Sequence, residues 1–507
     1  MKKSACILML ICLSGFLNAQ VPFSLEDAQM DAYFANPANV PVIKGRLLNC
    51  TAGDLDSLSI RYVLVVPNAQ RQEMRYANLK KDGTFEIKLD YPLRYQQFFL
   101  LLPYSGLEVI AHKGLYVEAD LKELRSVYLR YKNSTDSMNM YQKINFSGPD
   151  SSLCQLKYWY NKFEPEVKEQ FYTLQRAATN YKLPTSENFK LWNQAFDLIA
   201  EHQNRFLEKF PSTDAWLLEN ERLSEYYAHH FVFHWNKPIP KDGSLDAALR
   251  HQPLLVSNDG IAYYRYLQMM LSVAHKGDPL KGFEEIPMPP RKADLVKIMG
   301  GPEGLFEREE YIEKILTTLQ ASWCKQLIQE ELSNKKKQTD LINKDLKNMP
   351  SNTTKTSLGK FVGALPQGAN LYSAEEKNID SLVQRIRALY PNQAIILDVW
   401  ATWCAPCISD MKNSKDTKEQ LKKLPVKVVY LCVTNNSDEE KWKKKVAELG
   451  VDGDHIWLTG DLSARIMERY GLSGYPSYIF IDAKGTYYPK FINSIERLDF
   501  DALKKKL

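Results

Sequence analysis

The hydrophobic rhythm of this 507-residue chain changes twice, and those changes constrain its fold more than any other feature. From about residue 36 to 145 the apolar positions alternate. Leu58, Ile60, Tyr62 and Leu64 take turns with Ser59, Arg61 and Val63. Phe85, Ile87 and Leu89 do the same with Glu86 and Lys88, just after an Asp82-Gly83 turn signal. A period of two belongs to strands with one buried face, so residues 20–145 predict an N-terminal antiparallel β-sandwich. From about 150 to 350 the spacing becomes three and four, as in Leu191, Ala195 and Leu198, then Phe206 and Phe210. Residues 146–349 therefore predict an α-helical middle region. Within it, Pro211-Ser212-Thr213-Asp214 predicts a break and a new N-cap. A long charged helix is predicted between Glu307 and Lys347, ending in a lysine-rich, solvated stretch. Residues 350–359 are polar and aperiodic and read as an interdomain linker. In 360–507, apolar strands alternate with helical stretches. The strands are Ala394–Trp400, Val426–Val433 and Ser477–Asp482, with an edge strand through Tyr487. The helical stretches are Ile379–Leu389, Ser409–Leu421, Asp438–Leu449 and Leu462–Tyr470. That alternation predicts a C-terminal α/β domain with a sheet covered on both faces.

The first twenty residues have a different purpose. Lys2 and Lys3 precede an apolar stretch from Ala5 to Leu17, and Ala19 stands at a suitable cleavage point. Residues 1–19 therefore predict a secretory signal peptide and an exported, periplasmic protein. The apolar stretch is too short to span a bilayer comfortably, although an uncleaved anchor is the alternative. Cys12 lacks the small preceding residues of a lipoprotein site. No other segment reaches 18 uninterrupted apolar residues. The formal charge is +5, and Lys2 and Lys3 supply two of those positives. Such a balance does not suggest nucleic acid as a partner.

Export decides how the eight cysteines are read. Cys6 and Cys12 leave with the signal. Outside the cytosol the other six can be oxidised and stay so. Cys50, Cys154 and Cys324 stand alone, and a bridge between two of them is left open. Cys432 lies mid-strand and reads as a buried core thiol. Cys404-Ala405-Pro406-Cys407 is different, because a strand runs straight into it and a helical pattern follows. Two-residue spacing lets the sulfurs close a tight ring. At a helix start, unpaired N–H groups and the helix dipole favour an anion, which lowers the pKa of Cys404. Cys407, one turn in, can attack a mixed disulfide held on Cys404. Pro406 fixes φ and removes a donor without a partner. Zinc is the competing reading, but it needs four ligands and no second pair exists; an inert bridge is another. His229, His230 and His234 place two imidazoles at i, i+4, yet without His-Glu-x-x-His they read as an aromatic packing helix. Tyr263, Tyr264, Tyr266, Met269 and Met270 read as core at helical spacing, and Lys412 to Lys423 as a solvated helix face. Thr402 does not complete a peroxidase signature.

The run from Asp398 to Cys407, DVWATWCAPC, resembles the active site of thioredoxin-fold proteins, especially exported TlpA/ResA-like thiol–disulfide oxidoreductases. Tyr470-Gly471-Leu472-Ser473-Gly474-Tyr475-Pro476-Ser477 resembles the loop that carries the fold's cis-proline. The β-rich N-terminus loosely resembles modules that precede such domains in exported Bacteroidetes proteins. The resemblance implies a redox-active Cys404–Cys407 pair and a buried carboxylate, Asp398, that takes part in proton transfer. It implies substrate contacts at Trp403, Tyr475 and Pro476, with Ala405 and Pro406 tuning the pair. It implies protein disulfides as substrates, a membrane thiol-reducing electron donor, and no cofactor or metal. A binding or adaptor protein with an accessory thioredoxin-like domain is the alternative. Two departures stand out. Lys412 replaces the family's kink-forming proline, which predicts a straighter helix. The strand Val428–Val433 lacks the family's lysine, which leaves Asp398 unpaired and predicts a raised pKa.

Overall fold

The computed structural model describes residues 22–507 apart from 59, 68–71, 133–140, 164, 181–184, 236, 275–285, 287, 300–308, 349–356, 435–436 and 473. The predicted signal peptide and most of the predicted linker lie outside the described residues. Among the described residues no helix is long and apolar enough to cross a membrane.

The N-terminal strands are β1 (Val42–Leu48), β2 (Ile60–Val65), β3 (Gln72–Ala77), β4 (Thr84–Lys88), β5 (Gln96–Leu102), β6 (Ser105–Ala111), β7 (Gly114–Asp120) and β8 (Ile144–Ser147). They form two four-stranded sheets, β4-β1-β7-β8 and β3-β2-β5-β6. The alternating residues face one another across the sandwich: Ile60, Tyr62 and Leu64 from one sheet meet Phe85 and Ile87 from the other. Phe85 lies opposite Gly45, and a Cβ there would fall 2.2 Å from its ring, so only glycine fits. Gly83 turns the chain at φ +79°, where other residues are strained. One expectation is corrected. The first sheet is mixed, because β1 pairs parallel with β7. The chain passes through the whole second sheet between these two strands, and a connection of that length permits parallel pairing.

The middle region is helical, with Trp216–Phe233 packed on Asn258–Ala274 and Pro165–Ala178 on Thr185–Lys209. The break at 211–214 is present, but the N-cap falls on Ala215 without a side-chain cap bond. The predicted long helix is two helices, Glu309–Thr318 and Ser322–Asn348. Asp294 causes the division, accepting the amides of Gln320 and Ala321 at 2.7 Å each. The second helix is also solvated on one face only. Ile342 and Leu346 are buried in the same core as Leu371 and Val383 of the C-terminal domain. Asn343 accepts the Tyr487 amide at 2.7 Å, and Arg469 bridges Asp345 and Asp380.

The C-terminal domain adds β9 (Lys360–Leu365), β10 (Ala369–Ser373), β11 (Ala394–Trp400), β12 (Val426–Cys432), β13 (Gly453–Trp457), β14 (Ser477–Ile481) and β15 (Tyr487–Tyr488). Their order is β15-β14-β11-β12-β13-β10-β9. Strands β11, β12, β13 and β10 run parallel, and β14 runs antiparallel to β11. Every residue of β11 is buried, as a central strand covered on both faces requires.

Candidate active site

Strand β11 delivers the chain to the start of the helix Ala405–Asn413, and Cys404 is its N-cap residue. Cys404 and Cys407 form a disulfide with Cα atoms 5.3 Å apart. The Cys407 amide donates to Cys404 Sγ at 3.2 Å, so one orphan donor of the helix end already points at that sulfur. Both sulfur-bearing residues are buried, at 3% and 1% exposure. Ala405 and Pro406 are exposed beside them, and Trp403 is 51% exposed. The Tyr475–Pro476 bond is cis. Tyr475 meets the Trp403 ring edge-on at 5.9 Å. The structure thus brings Trp403, Cys404, Cys407, Tyr475 and Pro476 to one mouth. A groove of about 650 Å³ opens from Pro406 and Pro476 toward Phe491, Ile492 and Arg497.

Asp398 lies beneath, on β11, at 1% exposure. Neither of its oxygens has a hydrogen-bond partner among the described residues. In register it faces Tyr430 of β12 and Tyr478 of β14. Burial raises its pKa to about 7, Lys418 pulls it down and Asp410 pushes it up. The predicted rise is present.

Two expectations about this neighbourhood need correction, and a third gains a detail. The helix after Cys407 is not straighter for lack of a proline. It ends at Asn413, and a second helix, Lys415–Leu421, begins after Ser414. Asp398 is unpaired as expected, with no hydrogen-bond partner among the described residues, although Lys418 on that second helix favours its charged form. The lysines from 412 to 423 are therefore not all solvated: Lys412, Lys415, Lys422 and Lys423 are exposed, but Lys418 is 9% exposed. Its position in the spacing Met411, Ser414, Lys418, Leu421, all buried, is the signal that marked it as inward-facing.

Asp410, the second residue that sequence reasoning passed over, holds the mouth's outer wall. It accepts the hydroxyls of Tyr478 and Ser494 and the amides of Ile495 and Glu496, both at 3.1 Å. Other candidates are structural. Cys50, Cys154, Cys324 and Cys432 are free thiols. Cys154 and Cys324 sit in separate cores, and burial pushes the Cys432 thiol well above its usual pKa. His229 lies 4.1 Å from the Trp192 ring, and His230 meets Phe189 and Tyr226 edge-on.

Residues 373–496 match the Redoxin family. This is a redoxin-type, thioredoxin-fold domain. The thioredoxin-fold resemblance of the sequence agrees with this match. Solved structures similar to the chain include the thioredoxin domain of a thiol-disulfide oxidoreductase from Bacteroides vulgatus. That match has 22% identity and a TM-score of 0.20, and covers 23% of this chain and 77% of the other. A thiol:disulfide interchange protein from a Bacteroides species has 20% identity and a TM-score of 0.21, covering 23% and 74%. A secreted disulfide oxidoreductase of Mycobacterium tuberculosis has 17% identity and a TM-score of 0.19, covering 24% and 83%. Among curated proteins none matches the chain.

Proposed function

We propose that the protein is an exported, periplasmic thiol–disulfide oxidoreductase that reduces disulfides in protein clients through Cys404 and Cys407. The observation that carries this reading is the Cys404–Cys407 disulfide at a helix N-terminus, beside a cis-proline loop and an exposed tryptophan. In the reduced form the helix end favours a thiolate on Cys404. That thiolate attacks one sulfur of a client disulfide. A Cys404–client bond forms, the client disulfide breaks, and one client sulfur leaves as a thiolate. Asp398 accepts the Cys407 proton. Cys407 then attacks Cys404 Sγ, closes the Cys404–Cys407 bond and releases the second client thiol. A pKa of about 7 divides Asp398 between its two forms near neutral pH, which suits a group that takes up and returns a proton. Trp403, Tyr475 and Pro476 border the client chain, and the groove beyond Pro406 accommodates its continuation. Ala405 and Pro406 tune the pair, and the proline between the cysteines supports the reducing direction. A membrane thiol-reducing system returns the electrons, and the reaction needs no metal or cofactor.

A second reading has one observation in its favour. Strand β3 of the N-terminal sandwich packs on the helix Gly460–Arg469. Its Tyr76 lies within electrostatic reach of Tyr475, at the cis-proline loop. The sandwich thus borders the mouth, which supports a part in capturing partners for the pair. Trapping with Cys407→Ala in the full-length protein tests both readings. The variant stalls the mixed disulfide on Cys404, and disulfide-linked clients released by dithiothreitol are the expected outcome. Clients retained without a disulfide would favour the adaptor reading.

A further inference from the structure

The helix Gly460–Arg469 runs toward the loop that carries the cis bond, and a glycine closes its last turn. Gly471 stands at φ +59°. The Leu472 amide donates back to the Met467 carbonyl at 2.8 Å, and the Gly471 amide donates to the Glu468 carbonyl at 3.2 Å. That closure serves the carbonyls of Met467 and Glu468 but not those of Arg469 and Tyr470. These two are met from outside the helix. Gln338, on the helix Ser322–Asn348, donates its side-chain amide to the Arg469 carbonyl at 3.0 Å and to the Glu468 carbonyl at 3.3 Å. Tyr487 donates its hydroxyl to the Tyr470 carbonyl at 3.4 Å, and Asn343 of the same long helix holds the Tyr487 amide. Gln338 also packs over the glycine, since a Cβ on Gly471 would lie 3.5 Å from Gln338 Oε1.

The sandwich leaves room beside this stem. A cavity of about 430 Å³ lies between the two, lined by Glu73 and Arg75 of β3 and by Gln338, Glu468, Gly471 and Leu472. Tyr475 and Pro476 follow closely on Leu472, so the place of the stem sets where the cis-proline loop stands relative to Cys404. Gln338 itself lies outside the 373–496 match, in the helical region.

We propose that Gln338 is a positioning residue for client binding. By holding the carbonyls at the end of the helix Gly460–Arg469, it fixes the cis-proline loop at the distance from Cys404 that a bound client chain needs. The proposal rests on the oxidoreductase reading above and gives the helical region a part in that site. Gln338 acts on binding rather than on sulfur exchange, because the Cys404 thiolate is favoured by its own helix end. A client chain laid along Tyr475 and Pro476 feels a displaced loop. A small disulfide that reaches only Cys404 does not.

The test uses the full-length protein and two disulfides. Insulin reduction is followed with dithiothreitol as the electron source. The pre-reduced protein, freed of dithiothreitol, is mixed separately with dithiobis(nitrobenzoate), a small disulfide. Gln338→Leu removes the amide, and Gln338→Glu turns a carboxylate toward two carbonyls. Both should raise the KM for insulin about tenfold, the worth of one or two hydrogen bonds, with kcat and the small-disulfide rate within about twofold of the parent. Gln338→Arg, which again offers N–H donors to the carbonyls, should restore the KM. An insulin KM unchanged in the Leu and Glu variants overturns the proposal, as does an Arg variant as impaired as the Leu variant. A loss that appears equally with the small disulfide also overturns it, since that marks general damage to the site. None of these outcomes touches the oxidoreductase reading, which falls instead if Cys404→Ser turns over insulin like the parent. Should the Leu and Glu variants fail to fold, Gln338→Asn decides, because its amide is one methylene short of both carbonyls. A raised insulin KM with an unchanged small-disulfide rate supports the proposal there too, and an unchanged KM overturns it.

Discussion

The helical region and the redoxin-type domain both bury charge, and they treat it in opposite ways. In the helical region Lys157 is 8% exposed and holds Glu221 at 2.5 Å and Glu108 at 3.2 Å. These three residues tie β6 to two helices. Lys292, at 1% exposure, donates to the carbonyls of Leu249 and His251 at 2.6 Å, to Tyr263 at 3.0 Å and to Glu26 at 3.2 Å. Such groups are anchored by several acceptors, and their function is to fix one arrangement of the chain. In the redoxin-type domain Asp398 is equally buried and has no hydrogen bond among the described residues. An unpaired buried carboxylate costs stability and is kept where a proton must move. Twelve residues on, Asp410 shows that the same domain can saturate an aspartate where only architecture is needed. On the proposed mechanism, the presence or absence of hydrogen-bond partners, rather than depth, separates the structural charges from the one that moves a proton.

The largest expected effect tests whether reactivity is confined to one domain. Cys404→Ser should reduce insulin no faster than the dithiothreitol supplied with it; turnover equal to the parent would break the comparison outright. Next comes Lys157→Met, which leaves Glu108 and Glu221 buried without their cation. Urea unfolding should show a loss of roughly 3–5 kcal/mol. A loss under about 1 kcal/mol would mean the trio is not an anchor.

Asp398→Asn should act in the other direction. The folded carboxyl has its pKa raised from 3.8 to about 7. Between those values the folded state holds a proton that the unfolded chain releases, so stability falls as pH rises through that window. Removing the carboxylate should therefore stabilise the protein at pH 8, by an amount on the order of 2–4 kcal/mol. The gain should vanish near pH 4, and a gain independent of pH would show that charge is not its source. The smallest effect is expected at the join between the two regions. Arg469 is 23% exposed and pairs with Asp345 and Asp380, so Arg469→Ala should cost about 0.5–1 kcal/mol, less at high salt.

Much of the active-site mouth was legible because its signals are local. Strand β11 is an unbroken apolar run, and the helix Ile379–Leu389 has the predicted bounds. Cys404, Cys407 and the Tyr475-Pro476 loop announce themselves by spacing. What escaped depends on contacts between distant residues. The parallel pairing of β1 with β7 cannot be read from either strand, since both alternate as antiparallel strands do. Strands β9, β10 and β13 are short and partly polar, so no run marked them. Lys418 was hidden by its neighbours, because five lysines in twelve residues look like a wet surface unless the spacing Met411, Ser414, Lys418, Leu421 is weighed against them. The division at Leu319–Ala321 was set by Asp294, a residue on another helix.

The helix Ser322–Asn348 lends Ile342 and Leu346 to the hydrophobic centre of the domain that follows it. A fragment started at residue 360 would begin life with that seam torn open and two apolar sockets facing water. Anyone excising the redox unit should cut upstream of Gln338, and any protease that nicks the connection between helix and domain would leave the pieces clasped rather than freed.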